Sequence, residues 1–208
     1  MRLNEWERSR EKEGMDERPD EDLILEYQSG KDEALTMIFQ RYKKPVLNFA
    51  LRLLGNRADA EDATGEVFLV LFAKKYTYQP TSKFSTWLYT VTRNVCVSRL
   101  RKRKWTVSLF VKRDEQDSPQ EWDIPDTSNL PSDELDKKEA AHTIKKAIEK
   151  LPDLQKEALI LREYQGMSYQ EISNILDCSL EKVKILIYRA RERLRDELPS
   201  FIKEGNHE

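Results

Sequence analysis

The stretch from Ser168 to Arg195, SYQEISNILDCSLEKVKILIYRARERLR, leaves little freedom in how it can fold. Ser168 followed by Glu171 has the spacing of a capping box and marks a helix start. Ile172, Ile175 and Leu176 put apolar groups on one face of a short helix, Asp177 and Cys178 break it, and Ser179 can cap a second. In that second helix Leu180, Val183, Ile187, Ala190 and Leu194 recur at three- and four-residue spacing, which gathers them in one buried arc. Glu181, Lys182, Ile185 and Arg189 fall on the opposite side, with Lys184 and Arg191 at its flanks. A short capped helix behind a longer basic one is the outline of a helix-turn-helix. Its second helix fits a DNA major groove, with the N-terminal residues on base edges. The plainer alternative is an amphipathic helix pair whose charges only face water.

Glycine is scarce, 6 in 208 residues, and the other apolar stretches also run at helical spacing, so the fold class is all-α. With 38% hydrophobic and 36% charged residues the cores must be small. No apolar run approaches the roughly 18 residues of a membrane span. The N-terminus, MRLNEWERSREKEGMDERPDEDL, holds no apolar signal core. A cytoplasmic protein without membrane insertion is therefore expected. Cys96 and Cys178, with His142 and His207, offer no metal-ligand spacing, so neither a metal nor a cofactor is expected. Paired carboxylates, a nucleophile–base set and a Gly-rich phosphate loop are missing too, which argues against an enzyme. The net charge of −2 hides a segregated distribution. Positive charge gathers from Arg99 to Lys104 and from Lys182 to Arg195; negative charge gathers in the N-terminal tail and from Asp114 to Asp136. Overall acidity does not exclude nucleic acid, because the field that matters is local.

Along the chain, residues 1–19 read as a polar tail. A first helical domain spans 20–104. Leu23, Ile24 and Tyr27 lead to a break at Ser29-Gly30, and Ala34, Leu35, Ile38, Phe39 and Tyr42 resume. A third segment begins after Pro45 with Val46, Phe49, Ala50 and Leu53, and Gly55-Asn56 stops it. From about Ala58 a helix turns Ala60, Ala63, Val67, Val70 and Leu71 to one face and an acidic stripe of Glu61, Asp62 and Glu66, with Leu69 among them, to the other. The loop YTYQPTSK then enters FSTWLYTVTRNVCVSRLRKRK. There Phe84, Trp87, Leu88, Val91 and Val95 share one side, and Thr90, Arg93, Asn94, Val97 and Arg101 another. Cations at a helix C-terminus gain from the macrodipole in any protein. Their density beside an aromatic loop favours nucleic acid, because rings next to cationic groups hold unstacked bases on a tracked backbone. Residues 105–132, with Pro119, Pro125 and Pro131 and an excess of Asp and Glu, read as a flexible acidic linker. A second helical domain spans 133–198, and 199–208 is a C-terminal tail.

Three stretches in this order, DAEDATGEVF, FSTWLYTVTRNVCVSRLRKRK and LPDLQKEALILREYQGMSYQEISNILDCSLEKVKILIYRARERLR, resemble the sigma-70 family of transcription initiation factors. More narrowly they resemble its extracytoplasmic-function (ECF) group, which keeps only the second and fourth conserved domains. The resemblance covers roughly residues 20–104 and 133–196, and implies a sigma-2-like bundle and a sigma-4-like helix-turn-helix domain. It implies that Glu61, Asp62, Glu66 and Leu69 dock on the β′ subunit of core RNA polymerase. The loop with Tyr76, Tyr78 and Lys83, and the helix carrying Arg93, Asn94 and Val97, would capture and read the minus-ten promoter element with one base flipped out. Arg99, Arg101, Lys102 and Arg103 would hold the DNA backbone. The helix capped by Ser179 would enter the major groove at the minus-thirty-five element while its domain rests on the β subunit. The acidic linker would thread toward the RNA exit channel, and an anti-sigma partner is common in such factors. On the minus-thirty-five element Lys182 suits guanine acceptors, Glu181 a cytosine amine and Ile185 a thymine methyl. Lys184, Arg189 and Arg191 suit phosphates, which give affinity rather than specificity.

The chain departs from the family pattern at four positions. Gly65 stands where Gln is frequent, and Ser98 where Asp is usual. Ile185 and Leu186 replace small and basic residues of the recognition helix, which implies an altered minus-thirty-five preference or burial of Leu186 against a regulator. The expected function is promoter-specific initiation with core polymerase. The rivals are a stand-alone helix-turn-helix regulator, which leaves the acidic helix and aromatic loop without a task, and a sigma-like interaction protein that binds polymerase without initiating.

Overall fold

The computed structural model describes residues 18–110 and 132–198. Nearly all of the expected N-terminal tail, the C-terminal tail and most of the expected acidic linker lie outside the described residues. Among those residues the regular structure is helical. The first half holds α1 (Asp20–Gln28), α2 (Asp32–Leu54), α3 (Arg57–Ala73) and α4 (Phe84–Phe110). The second holds α5 (Ser132–Glu149), α6 (Asp153–Glu163), α7 (Tyr169–Leu176) and α8 (Leu180–Glu197), and one 3-10 turn lies at Lys75–Thr77.

Local chemistry sets most of these boundaries. Asp20, Glu21 and Asp22 crowd the first turn of α1, where the helix dipole favours negative charge. Gly55 ends α2 at φ 73°, a left-handed backbone that glycine adopts without strain. Asn56 caps α3, its side-chain oxygen accepting from the Asp59 amide at 3.0 Å. Two sequence expectations are corrected. Pro45 does not divide the second helical stretch: α2 runs through it from Asp32 to Leu54. An interior proline costs about 3 kcal/mol. Burying Val46, Phe49, Ala50 and Leu53 on the far side offsets this, since one large apolar side chain contributes about 1.5–3 kcal/mol. Nor does the linker begin at residue 105, because α4 continues to Phe110. No glycine or proline interrupts residues 84–110, so nothing in the chain stops the helix there.

The first bundle packs α2 against both α1 and α3, with α4 laid across all three. Leu23, Ile24, Ile38, Phe49, Leu71, Phe84 and Leu88 keep no exposed surface. Phe84 meets the edges of Tyr42 and Tyr78, and Phe49 meets Tyr89. One charged cluster is sealed inside. The Asp20 carboxylate accepts from both the buried Arg41 guanidinium and the Tyr42 hydroxyl, and Arg41 also donates to the Arg18 carbonyl. Burial and the adjacent Asp20 push the Tyr42 phenol well above its ordinary pKa, so it stays a neutral donor. Glu21 Oε1 accepts from the Phe84 amide at 2.8 Å, satisfying an orphan N–H at the start of α4 and tying it to α1.

The second bundle centres on α6, whose Ala158, Leu159, Ile160 and Leu161 are buried against α7 and α8. The two bundles touch. α4 lies along α7, α2 meets α6, and the buried side chains form one continuous cluster across both. Removing Asp20 takes the paired carboxylate away from the buried Arg41 guanidinium. Asp20→Ala is expected to cost about 3–5 kcal/mol of stability in urea denaturation, well beyond a surface substitution.

Candidate nucleic-acid interface

The helix-turn-helix is built by its caps. Ser168 Oγ accepts from the Glu171 amide at 3.2 Å, and Glu171 Oε2 accepts from the Ser168 amide at 2.7 Å. Asp177 then turns the chain at φ 51°, a left-handed conformation that Asp tolerates better than most side chains. Ser179 Oγ accepts from the Lys182 amide at 3.2 Å and starts α8. Val183, Ile187 and Ala190 are buried beneath α8, with Leu180 and Leu194 half-buried. This leaves Ser179, Glu181, Lys182, Lys184, Ile185, Arg189 and Arg191 exposed, as the sequence predicts. Arg191 leans back on Glu163 at 2.6 Å. Leu186 is half-buried against its own domain's core. One residue of this face escaped the sequence reading. Tyr188, 65% exposed, stands one turn beyond Ile185 and extends its apolar strip. Its spacing of three from Ile185 and seven from Glu181 was the available signal.

The aromatic loop is anchored from α1. Gln28 Nε2 donates to the carbonyls of Lys75 and Tyr78 at 2.7 and 3.0 Å, and Lys75 Nζ donates to the Tyr27 carbonyl at 3.1 Å. Tyr76 projects with 71% exposure, with Lys75 Nζ 5.2 Å from its ring centre. Tyr78 does not, which corrects its place among the expected DNA contacts. It is 2% exposed, packs on Phe84 and Trp87, and donates its hydroxyl to the Ser82 carbonyl at 2.9 Å. Burial, with Glu21 and Asp20 adding to it, pushes the phenol up to about 12, so Tyr78 is a neutral brace for the loop.

Along α4, Asn94, Arg101, Lys102 and Arg103 are exposed and Val97 is half-buried. The remaining expected DNA contacts are engaged inside the molecule. Arg93 Nε pairs with Glu157 of α6 at 2.5 Å, and Lys83 Nζ with Glu171 of α7 at 2.9 Å. Arg99 pairs with Glu66 at 2.8 Å and lies 3.9 Å from Asp62.

That last contact joins the basic helix to the acidic stripe on α3. Glu61, Asp62, Glu66 and Leu69 are all exposed on one face, with Glu61 also held by Arg57 at 2.9 Å. Phe72, 64% exposed, continues the face one turn on, and Phe39 and Phe68 meet edge-on at 4.8 Å. Phe39 reads from sequence as part of the apolar pattern of its helix but is 43% exposed, and Phe72 was not singled out, because an isolated apolar residue in a helical pattern reads as core. Gly65 sits in the middle of this face, and a side chain added there would meet open space. Its presence is not forced by packing. The whole arrangement can bind: cationic groups with a stacking ring on one side, an acidic and apolar strip on another.

Residues 38–106 match the family model described as Sigma-70 region 2, and residues 141–194 match Sigma-70, region 4. The ECF RNA polymerase sigma factor SigW of Bacillus subtilis (strain 168) is 32% identical, over 84% of this chain and 94% of its own. The chain belongs to the sigma-70 family, in its extracytoplasmic-function group. The RNA polymerase sigma-H factor of Pseudomonas aeruginosa is 26% identical over 89% of this chain and 97% of its own. Among solved structures, the sigma factor RpoE in complex with the anti-sigma factor NepR, from Bartonella quintana, shares the fold. Its TM-score is 0.66 at 24% identity, covering 82% of this chain and 98% of that one. CnrH in complex with the cytosolic domain of CnrY gives a TM-score of 0.60 at 21% identity, over 90% and 99%. In this family member the region 2 match takes in α3, the loop and most of α4, and the region 4 match spans the helix-turn-helix.

Glu171 is the residue on which the capping box and the Lys83 pair converge. Partial burial alone would raise its pKa. The hydrogen bonds from Ser168 and the Lys83 charge outweigh that and hold it below the ordinary 4.5. A carboxyl whose folded pKa is depressed contributes stability above its ordinary pKa and loses it as pH falls through the folded value. Amide exchange in the first turn of α7 is therefore expected to accelerate, relative to α8, as pH drops below 4.5. Glu171→Gln, which does not titrate, should lack that step.

Proposed function

We propose that this chain is a promoter-specificity subunit: it binds core RNA polymerase, recognises minus-ten and minus-thirty-five elements, and directs transcription initiation. Family membership across both regions supports it, and so does one observation above all. A single chain carries an acidic and apolar docking strip, an exposed aromatic beside a basic helix, and a capped basic recognition helix. A stand-alone repressor would need only the last. The protein works by binding in the cytoplasm and catalyses nothing itself.

In this reading the strip of Glu61, Asp62, Glu66 and Leu69, extended by Phe72, docks on the β′ subunit. Tyr76 stacks on an extruded base, whose binding offsets part of the few kcal/mol of unstacking. Asn94 and Val97 flank that base, and Arg101, Lys102 and Arg103 follow the backbone, joined by Lys83, Arg93 and Arg99 once these leave their internal partners. Tyr78 shapes the loop from within. The β subunit supports the second domain, whose α8 reads the upstream element. An anti-sigma factor, a partner named with the solved neighbours, is a fitting regulator here.

Run-off transcription with core polymerase tests the function, and new start sites are expected. Changing Glu61 and Asp62 together to Lys should weaken core binding about tenfold or more while DNA contacts persist. Unchanged core affinity would reject the docking strip. Within α8, Arg189→Ala is expected to weaken binding evenly across sequences and flatten the salt dependence, whereas Lys182→Ala should change preference at particular base pairs. Quantitative binding over a promoter library separates the two.

A further inference from the structure

The most exposed large apolar side chain among the described residues is Trp105 of α4, at 74%. From sequence it reads as the first residue of the linker; the structure makes it helical, because α4 runs on to Phe110. That continuation fixes its direction. At about 100° per residue, eleven residues are three turns plus about 20°, so Trp105 lies on the same face as Asn94. Asn94, Ser98, Arg101 and Trp105 follow one another at spacings of four, three and four, and all are exposed. They form one outward stripe, while the buried stripe of Leu88, Val95 and Cys96 lies on another side of the helix. No Asp or Glu occurs anywhere in α4, and Ser98 stands where Asp is usual in the family. The stripe therefore carries positive charge with no carboxylate of its own, and it ends on an indole that loses by facing water.

We infer that Trp105 is a further DNA contact of the basic helix: its indole covers the apolar face of a deoxyribose while Arg101 takes a neighbouring phosphate. The inference rests on the proposed DNA face of α4 and extends that face by three turns beyond Asn94. Eleven residues of helix rise about 16 Å, against about 3.4 Å per nucleotide along one strand. The ring therefore meets the backbone about five nucleotides from the base that Asn94 flanks. A deoxyribose suits it because every nucleotide presents that apolar surface beside its phosphates, and the indole N–H can donate to a phosphate oxygen. Such a contact adds affinity without reading sequence, and without the counterion release that makes cationic contacts salt-dependent.

The test uses the full chain at low salt and the anisotropy of labelled, randomised-sequence 20-mers, one single-stranded and one duplex. Trp105→Ala is expected to weaken binding to both about tenfold, the scale of one well-covered ring, with the salt dependence unchanged. Trp105→Phe keeps an aromatic face and should recover most of the loss. Arg101→Ala, by contrast, should weaken binding and lower the salt slope by about one. Leu25→Ala, which trims an exposed apolar residue of α1, should change neither readout. Equal affinities for wild type and Trp105→Ala on both probes would overturn the inference and leave the DNA face of α4 standing. So would a loss confined to the single strand, which places the ring on an unpaired base. A loss of core-polymerase affinity in place of DNA affinity would assign the ring to a protein surface and overturn it as well. No binding of either probe by the wild type would remove that face and the inference together.

Discussion

The burial of one side of α4 decides the orientation of nearly everything else. Phe84 and Leu88 are fully covered and Val95 nearly so, and Phe84 is further held by the Glu21 bond to its amide. A helix gripped along one apolar stripe cannot rotate without exposing it. Its other residues therefore point in fixed directions. Asn94, Arg101 and Arg103 face outward, Arg99 faces the acidic helix, and Tyr89 and Arg93 face the second domain. The loop before it is held in the same way, by Tyr78 from inside and Gln28 from α1, so Tyr76 is presented rather than merely exposed.

Charge is the second organising influence, and it acts in two regimes. Asp20 and Arg41 are sealed in the first bundle, where the pair is costly to break. The pairs of Arg99 with Glu66, Arg191 with Glu163 and Arg57 with Glu61 are exposed, where each contributes little and can be exchanged for an external partner. A binding protein needs both kinds. The sealed pair belongs to the fold, while the exposed pairs hold their cations and carboxylates in ordered positions at the surface. The contact of Arg93 with Glu157 lies between these regimes, at the junction of the two domains.

The helix-turn-helix was legible almost residue by residue, because its determinants are local. A capping box, an apolar arc and a polar break each act within a few positions of the chain. The all-α class and the acidic stripe were legible for the same reason. Pro45 misled, since the penalty of an interior proline is local but the burial that outweighs it comes from α1, α3 and α4. Tyr78 misled differently: a loop tyrosine between polar neighbours reads as a surface ring, and only the approach of Phe84 and Trp87 covers it. Tyr188 and Phe72 went unread, and Phe39 was read only as one of an apolar series, because their exposure depends on which neighbours fail to arrive.

By itself the sequence determined the all-α class, the capped helix starts, which residues share a face, and the family to which those faces belong. All of that follows from periodicity, caps and motif spacing along one chain. Only the tertiary structure decided which charged residue answers which: Arg99 to the acidic helix, Arg93 and Lys83 to the second domain, Tyr78 to the core. The three charge pairings join residues 33 to 88 positions apart, at separations where local spacing carries no information. They are chosen by whichever partner the packed helices bring within reach.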